Sequence, residues 1–403
     1  MSRPYFSLYK FIFRGLKPAR SILRPIVTIA FDAKRYFNNA TGLGFYSRTL
    51  LEGLRHFYPK HRYLLYTPYN RGHWALPDDE IKLPDSWLGR KFHPLWRSQG
   101  ITRQLKRDGV DIYHGLSHEL PGGLRKAGIR SVVTMHDLIF MRYPDLYPAT
   151  DRFFYEKKYR RAAEEADSIV AISQQTRADL EQYFYTPAQN ICVIGQSCDA
   201  EFERLSLRHQ PDRLALPLPG NMNLPASDYL ISVGSLTPRK NWHTLLNALF
   251  ELKNRGLDLP LVAVGTGKSA YAEGLRKMAH EFDLKVYWLD QFVSTHDLAL
   301  LYRRAAAMAY PSVFEGFGIP ILEAMTVGIP VVTTRGGCFE EVGGPAALYA
   351  LPNAPIEMAE QISKVFDSTV RADLVSKMPA QIGQFSPEKI SAAWMEVYHA
   401  TKK

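Results

Sequence analysis

The chain has 403 residues, 46% of them hydrophobic and 22% charged, which is enough for two domains with separate cores and ordinary for a water-exposed protein. Its formal charge is +10, no run of about eighteen apolar residues offers a membrane-spanning helix, and Cys192, Cys198 and Cys338 form no C-x-x-C pair. A disulfide scaffold, a zinc ribbon and a helical membrane protein are thereby excluded, and a reducing, cytosolic setting is the expectation.

The charge is unevenly spread. Arg3, Lys10, Arg14, Lys17, Arg20 and Arg24 all precede the first acid, Asp32. At helical spacing, Arg3, Lys10, Arg14 and Lys17 share one face, opposite Tyr5, Leu8, Tyr9, Ile12, Phe13 and Leu16. Residues 1–24 thus read as a basic amphipathic segment, which either lies in an anionic membrane interface or packs on the first domain with its cations solvated. It does not read as a secretory signal, because Lys10 and Arg14 break the apolar stretch.

Pro25–Phe31 is a buried first strand, and Thr41-Gly42-Leu43-Gly44-Phe45-Tyr46 opens a helix running through Leu50, Leu51 and Leu54. Gly42 and Gly44 there serve either a tight turn or the close approach of a ligand. Tyr63–Tyr66, Asp111–His114 and Ser131–Met135 follow as strands, and His136-Asp137 ends the last of them, a structural histidine or a site residue. Ile169–Ile172 is a strand, Ser173 caps the helix through Arg177 and Leu180, and Ile191–Ile194 closes the first domain, 25–198. Residues 199–227, with Pro211, Pro217, Pro219 and Pro225 and no periodicity, read as a linker.

The second domain, 228–384, opens with Tyr229–Gly234 and the turn Leu236-Thr237-Pro238-Arg239-Lys240-Asn241 ahead of a helix through Leu249. Two cations at a helix N-terminus oppose its dipole unless an anion neutralises them, so Arg239 and Lys240 are phosphate contacts or a solvated basic turn. Leu261–Val264 leads to Gly265-Thr266-Gly267-Lys268-Ser269-Ala270, which fails as a P-loop because Val262 stands where the first glycine belongs. As G-x-G-x-x-A it matches a dinucleotide fingerprint, or it is a turn that approaches a nucleotide. Val286–Leu289 is a strand and Leu298–Ala307 a helix. Then comes PSVFEGFGIPILEAMTVGIPVVTT, Pro311–Thr334, behind the short strand Ala306–Tyr310. It is a glycine loop, a helix begun by Pro320 and ended at Gly328, and a β-branched strand, Val331–Thr334. Gly316, Phe317 and Gly318 put backbone N–H groups beside a helix start, flanked by Glu315 and Glu323. Carboxylates repel phosphate but accept from vicinal hydroxyls, so the pair suggests a ligand carrying sugars; taken singly, Glu323 would complement the helix dipole and Glu315 would be a solvated loop residue. Pro387–His399 is a terminal helix.

The string E-G-F-G-x-P-x-L-E-A-M, with G-x-P-V-V behind it, resembles the E-x7-E signature of the family-4 retaining glycosyltransferases, and bacterial mannosyltransferase-like members among them. H-D-L-I-F at His136, the glycine loop at Gly42 and P-R-K-N at Arg239 resemble other family segments, and the likeness runs from Thr28 to the C-terminus. It implies an α/β fold of GT-B type, two Rossmann-like, doubly wound parallel-sheet domains facing a cleft, with residues 385–403 crossing back to the first domain. The implied activity is transfer of a sugar, mannose from GDP-mannose by preference, from a nucleotide diphosphate sugar to a glycan or lipid-linked saccharide in cell-surface polysaccharide synthesis. By the same resemblance His136, Glu315, Arg239 and Lys240 carry the chemistry. Gly42, Gly44, Gly234, Arg239, Lys240, Gly265, Gly316, Phe317, Gly318 and Glu323 bind the donor, with Glu323 on the ribose. The family's Asn-Gly after the last strand of the first domain is replaced here by Gly195-Gln196. No D-x-D occurs, so neither metal nor other cofactor is expected, and the diphosphate charge falls to Arg239, Lys240 and loop N–H groups. No nucleic-acid partner is implied. The expected location is the cytoplasm, with the inner membrane face as a peripheral site. Two other readings stay open: a nicotinamide-dependent oxidoreductase using Gly265–Ala270, and a non-catalytic sugar-binding protein of the same fold.

Overall fold

The structure, a computed structural model, describes residues 25–39, 41–70, 77, 79–209, 212–213, 222, 224–225, 227–291 and 293–402. The basic amphipathic segment 1–24 lies outside the described residues. The chain divides into two compact units, one running to Ser197 and resuming at Phe385, the other Cys198–Gln384.

In the first unit the strands are β1 (Thr28–Asp32), β2 (Arg62–Tyr66), β3 (Ile81–Lys82), β4 (Ile112–Gly115), β5 (Arg130–Met135), β6 (Ser168–Ala171) and β7 (Ile191–Val193). They pair in parallel in the order β3-β2-β1-β4-β5-β6-β7. The central strands are covered on both faces, which is why β1, β4, β5 and β6 read as apolar runs without alternation. Helix α1 (Gly42–Phe57) follows β1, α2 (Trp87–Lys91) follows β3, α3 (Ala149–Glu165) precedes β6 and α4 (Gln174–Phe184) follows it, capped by Ser173, whose hydroxyl accepts from Thr176 N–H. The C-terminal helix Pro387–Lys402 belongs to this unit and lies against α1, closely enough that a Cβ on Gly53 would stand 2.6 Å from Ser391 Oγ. Its Trp394 and Tyr398 are fully buried with Phe31, Leu54 and Val132, and each such side chain contributes roughly 2–3 kcal/mol by leaving water.

In the second unit β8 (Leu230–Val233), β9 (Leu261–Val264), β10 (Val286–Leu289), β11 (Ala307–Tyr310), β12 (Val331–Thr334) and β13 (Ala347–Ala350) form a parallel sheet in the order β10-β9-β8-β11-β12-β13. Helix α5 (Trp242–Asn254) follows β8, α6 (Thr295–Arg304) precedes β11, and α7 (Ile319–Val327) follows it. Two expectations are corrected. The helix read as Leu298–Ala307 is α6, begun earlier because Ser294 Oγ accepts from Asp297 N–H, while Ala307 already belongs to β11. The start of the segment read as linker is packed structure: Ala200–Arg204 is a short helix, Leu207 N–H donates to Val327 O at 2.8 Å, and Arg303 donates to Leu205 O at 2.8 Å.

Both sheets are doubly wound, since strand order reverses direction between β1 and β4 and between β8 and β11. The loops leaving the carboxyl ends of the strands at such a switch diverge and leave a crevice, so the loops after β8 and β11 are where a ligand of the second unit belongs.

Candidate functional site

The turn after β8 carries the two cations and the turn after β11 carries Glu315. Because β8 and β11 are neighbours, residues some seventy positions apart in sequence meet: Arg239 stands 2.7 Å and Lys240 2.6 Å from Glu315 Oε1, and Ser312 Oγ donates to the same oxygen at 2.6 Å. Arg239 also donates to Phe314 O at 2.5 Å and Lys240 to Tyr310 OH at 2.8 Å. Asn241, held at φ 54°, fastens the two turns by donating from Nδ2 to Pro311 O at 3.1 Å, and Cys338 Sγ donates to Glu315 O at 3.2 Å.

The cluster is largely removed from water, with 13% of the Glu315 side chain exposed, 19% of Arg239 and 13% of Lys240. Burial pushes the Glu315 carboxyl up, but the nearby charges of Lys240 and Arg239 and the hydrogen bonds outweigh it and hold the group at about 2. Burial lowers Lys240, and Glu315 pulls it back up. One carboxylate against two cations leaves the cluster with net positive charge, preorganised to meet an anion. Beside it α7 begins at Gly318, φ 100°, with no side chain capping its first amides. Gly316, Phe317 and Gly318 thus belong to the turn that carries Glu315.

Glu323 lies one turn into α7 in surroundings of its own. It is partly buried, Tyr302 OH donates to Oε2 at 3.2 Å, and burial raises its carboxyl to about 8. The same burial and the neighbouring Glu323 keep the Cys198 thiol well above its ordinary value. A carboxyl of this kind in the wall of a helix suits a pair of ligand hydroxyls.

The glycines separate into two kinds. A Cβ on Gly265 would lie 1.8 Å from Gly234 O, and one on Gly267 would lie 2.6 Å from Leu236 Cβ, so the G-x-G after β9 lets its turn abut the turn after β8. That close packing accounts for the partial dinucleotide fingerprint. In the first unit, Gly44 is bare because Asn39 O would sit 1.9 Å from a Cβ, whereas Gly42 has nothing within 4 Å and leaves room for a ligand. Arg48 fastens this turn, donating to Tyr36 O at 2.9 Å and Asn39 O at 3.0 Å.

His136 follows β5 and is buried. Its Nε2 donates to Leu116 O at 2.8 Å, its ring meets Tyr46 edge-on at 4.6 Å, and its own N–H donates to His118 Nε2 at 2.9 Å. Burial first, then His118, drops His136 to about 3, so it is a neutral imidazole. His118, φ 62°, stacks on Tyr159 at 4.2 Å and is the positioning residue that sequence reading missed, together with Asp32 and Arg97, paired at 2.5 Å beside the first switch point. In the second unit Ser312, Tyr310, Asn241 and Tyr302 were missed as site residues; Asn241 alone left a signal, as the residue after Arg239-Lys240. Among the described residues no group of three His, Cys, Asp or Glu is placed to hold a metal ion, and no helix is long and apolar enough to cross a membrane.

Comparison with known proteins follows these two units. The family described as Glycosyltransferase Family 4 matches residues 40–202, and that described as Glycosyl transferases group 1 matches residues 223–387. The O-antigen chain mannosyltransferase B of Escherichia coli is 30% identical over 315 residues, 77% of this chain and 78% of its own. Among solved structures, a glycosyltransferase from Rickettsia africae ESF-5 aligns with a TM-score of 0.70 at 17% identity, over 94% of this chain and all of its own. Anabaena HepE in complex with UDP-glucose aligns with a TM-score of 0.68 at 18% identity, over 93% of this chain and 99% of its own.

Proposed function

Because the chain belongs to the family-4 glycosyltransferases of GT-B architecture, we propose that it is a retaining mannosyltransferase, moving mannose from GDP-mannose to a saccharide or lipid-linked saccharide in cell-surface polysaccharide synthesis. The observation that carries this reading is the Arg239–Lys240–Glu315 cluster at the β8/β11 switch point, cationic overall and beside the start of α7. The sugar is supported by the relative named a mannosyltransferase, and a nucleoside diphosphate as its carrier by the neighbour solved with UDP-glucose.

In this reading the donor diphosphate lies on Arg239, Lys240 and the first amides of α7, and Glu323 accepts from the ribose hydroxyls. Glu315 spaces the two cations in the free protein and turns toward the sugar hydroxyls when the diphosphate takes its place. The bond from the anomeric carbon to the diphosphate oxygen breaks as the acceptor oxygen bonds to that carbon from the same face. The hydroxyl proton passes to the departing diphosphate, whose growing charge the two cations stabilise. His136, neutral, directs the sugar and takes no proton. The acceptor belongs to the first unit near Gly42–Tyr46. A peripheral place on the inner membrane face is part of the reading, supported by the six cations before Asp32.

A panel of nucleotide sugars tests it by thermal shift and by donor hydrolysis. GDP-mannose at about a hundred times its Kd should add about 2.7 kcal/mol to the native state. A chain that binds GDP-mannose but never cleaves or transfers it is a sugar-binding protein, and stabilisation by NAD alone would return the oxidoreductase reading.

A further inference from the structure

Between β3 and β4 the first unit exposes a run of large apolar side chains. Leu83, Trp87, Leu88, Phe92 and Leu95 are exposed by between 48% and 68%. Local packing turns them outward: a Cβ on Gly89 would lie 2.9 Å from Trp96, which is buried with its Nε1 donating to Gln104 Oε1 at 3.3 Å, so Gly89 and Trp96 form the inner face of this stretch. Ser86 starts α2 by accepting from Gly89 N–H at 3.1 Å, which fixes the direction of Trp87 and Leu88.

The charge on this surface is mainly of one sign. Asp85 is its one acid, and from Ser86 to Arg107 the chain holds Arg90, Lys91, Arg97, Arg103, Lys106 and Arg107 and no carboxylate. Arg97 is paired with Asp32, and Arg107 with Asp85 and Asp108. Arg90 and Lys91 are exposed among the apolar residues, with Lys91 Nζ 5.3 Å from the Trp87 ring and 5.8 Å from the Phe92 ring. An exposed indole and phenyl ring around ammonium and guanidinium groups is the composition of a bilayer interface contact, where rings sit at headgroup depth and cations meet phosphates.

We propose that Leu83–Leu95 is a docking surface for an anionic lipid bilayer, formed by the folded first unit and separate from residues 1–24. Charge decides the occupant. Residues 1–24 carry six cations and no acid, and a second copy of the chain would present the same positive surface, so both are repelled where an anionic headgroup layer is attracted. The use of such a surface rests on the proposed lipid-linked acceptor: it would hold the acceptor domain where that substrate lies.

The test uses the full chain and vesicles of phosphatidylcholine with or without phosphatidylglycerol, with no sugar substrate, so vesicle binding stands or falls independently of transfer. The wild type should sediment with the anionic vesicles, less so at high salt, and leave the neutral ones. Each cation near such a surface is worth about fivefold, so R90Q/K91Q should lower the partition coefficient roughly 25-fold. W87S/F92S should lower it further while donor hydrolysis in solution is unchanged. Should that variant fail to fold, brominated lipid replaces it: tryptophan quenching in the wild type should be largely lost in W87F. Vesicle binding unchanged by both double substitutions, quenching unchanged in W87F, equal binding to neutral vesicles, or a change of oligomeric state in the patch variants without lipid would each overturn the proposal.

Discussion

Replacing Glu315 by Gln removes the carboxylate that Arg239 and Lys240 share and leaves two largely buried cations facing an amide. The cost can be worked from the carboxyl itself. Its pKa falls from an ordinary 4.5 to about 2 on folding, which corresponds to about 3 kcal/mol of native-state stabilisation at neutral pH. The burial that lowers Lys240 takes part of this back, so a loss of about 2–3 kcal/mol is expected. For a unit of this size that lowers Tm by roughly 4–12 °C. The sign with pH follows from the lowered pKa: the contribution is complete above pH 4.5 and disappears as pH falls through about 2. If the cations receive the donor diphosphate, GDP returns the missing negative charge. GDP should therefore raise the Tm of E315Q by more than it raises that of the wild type, which gives up an ion pair to bind it. Differential scanning calorimetry with saturating GDP measures both increments. Equal increments, or a smaller one in E315Q, would mean that the diphosphate does not rest on Arg239 and Lys240.

Glu323, held up to about 8, must ionise to accept from both ribose hydroxyls, so guanosine affinity measured by calorimetry should rise up to tenfold per pH unit from 6 to 8 and level off above. E323A should bind weakly at every pH, and a flat wild-type profile would remove the linkage. Arg239→Ala and Lys240→Ala should each cost roughly 2–4 kcal/mol in kcat/KM, the scale of one preorganised donor, and a loss confined to stability would count against their role. Transfer should continue after EDTA treatment, and activity lost to EDTA and restored by Mg²⁺ would contradict the cation assignment. Trp394→Ala should destabilise the first unit by about 3–5 kcal/mol in chemical denaturation, because the indole fills the seam between α1, β4 and the terminal helix.

Much of this molecule is legible in its sequence, and the parts that are not have physical reasons. Strands buried on both faces announce themselves as apolar runs rich in β-branched residues, and Leu261–Val264 and Val331–Thr334 stand where the sequence places them. Helix α3 does not, since a surface helix rich in Arg, Lys and Glu shows little apolar periodicity, and the two-residue edge strand Ile81–Lys82 is too short to carry any. Glu315, Arg239 and Lys240 were each visible as chemistry, but their meeting on one oxygen depends on β8 lying beside β11, a fact of strand order that no local pattern encodes. His118 was invisible for a related reason. Its function is a positive φ, a stacked ring and a bond to a backbone N–H contributed by another strand end.

The central claim is retention of configuration by a mannosyltransferase, and proton NMR of the reaction tests it most directly. The full chain incubated with GDP-mannose and a saccharide acceptor should yield GDP and a product whose new anomeric signal is that of an α-mannoside, the configuration of the donor. A β-mannoside, or transfer from other nucleotide sugars with GDP-mannose left intact, would contradict the account.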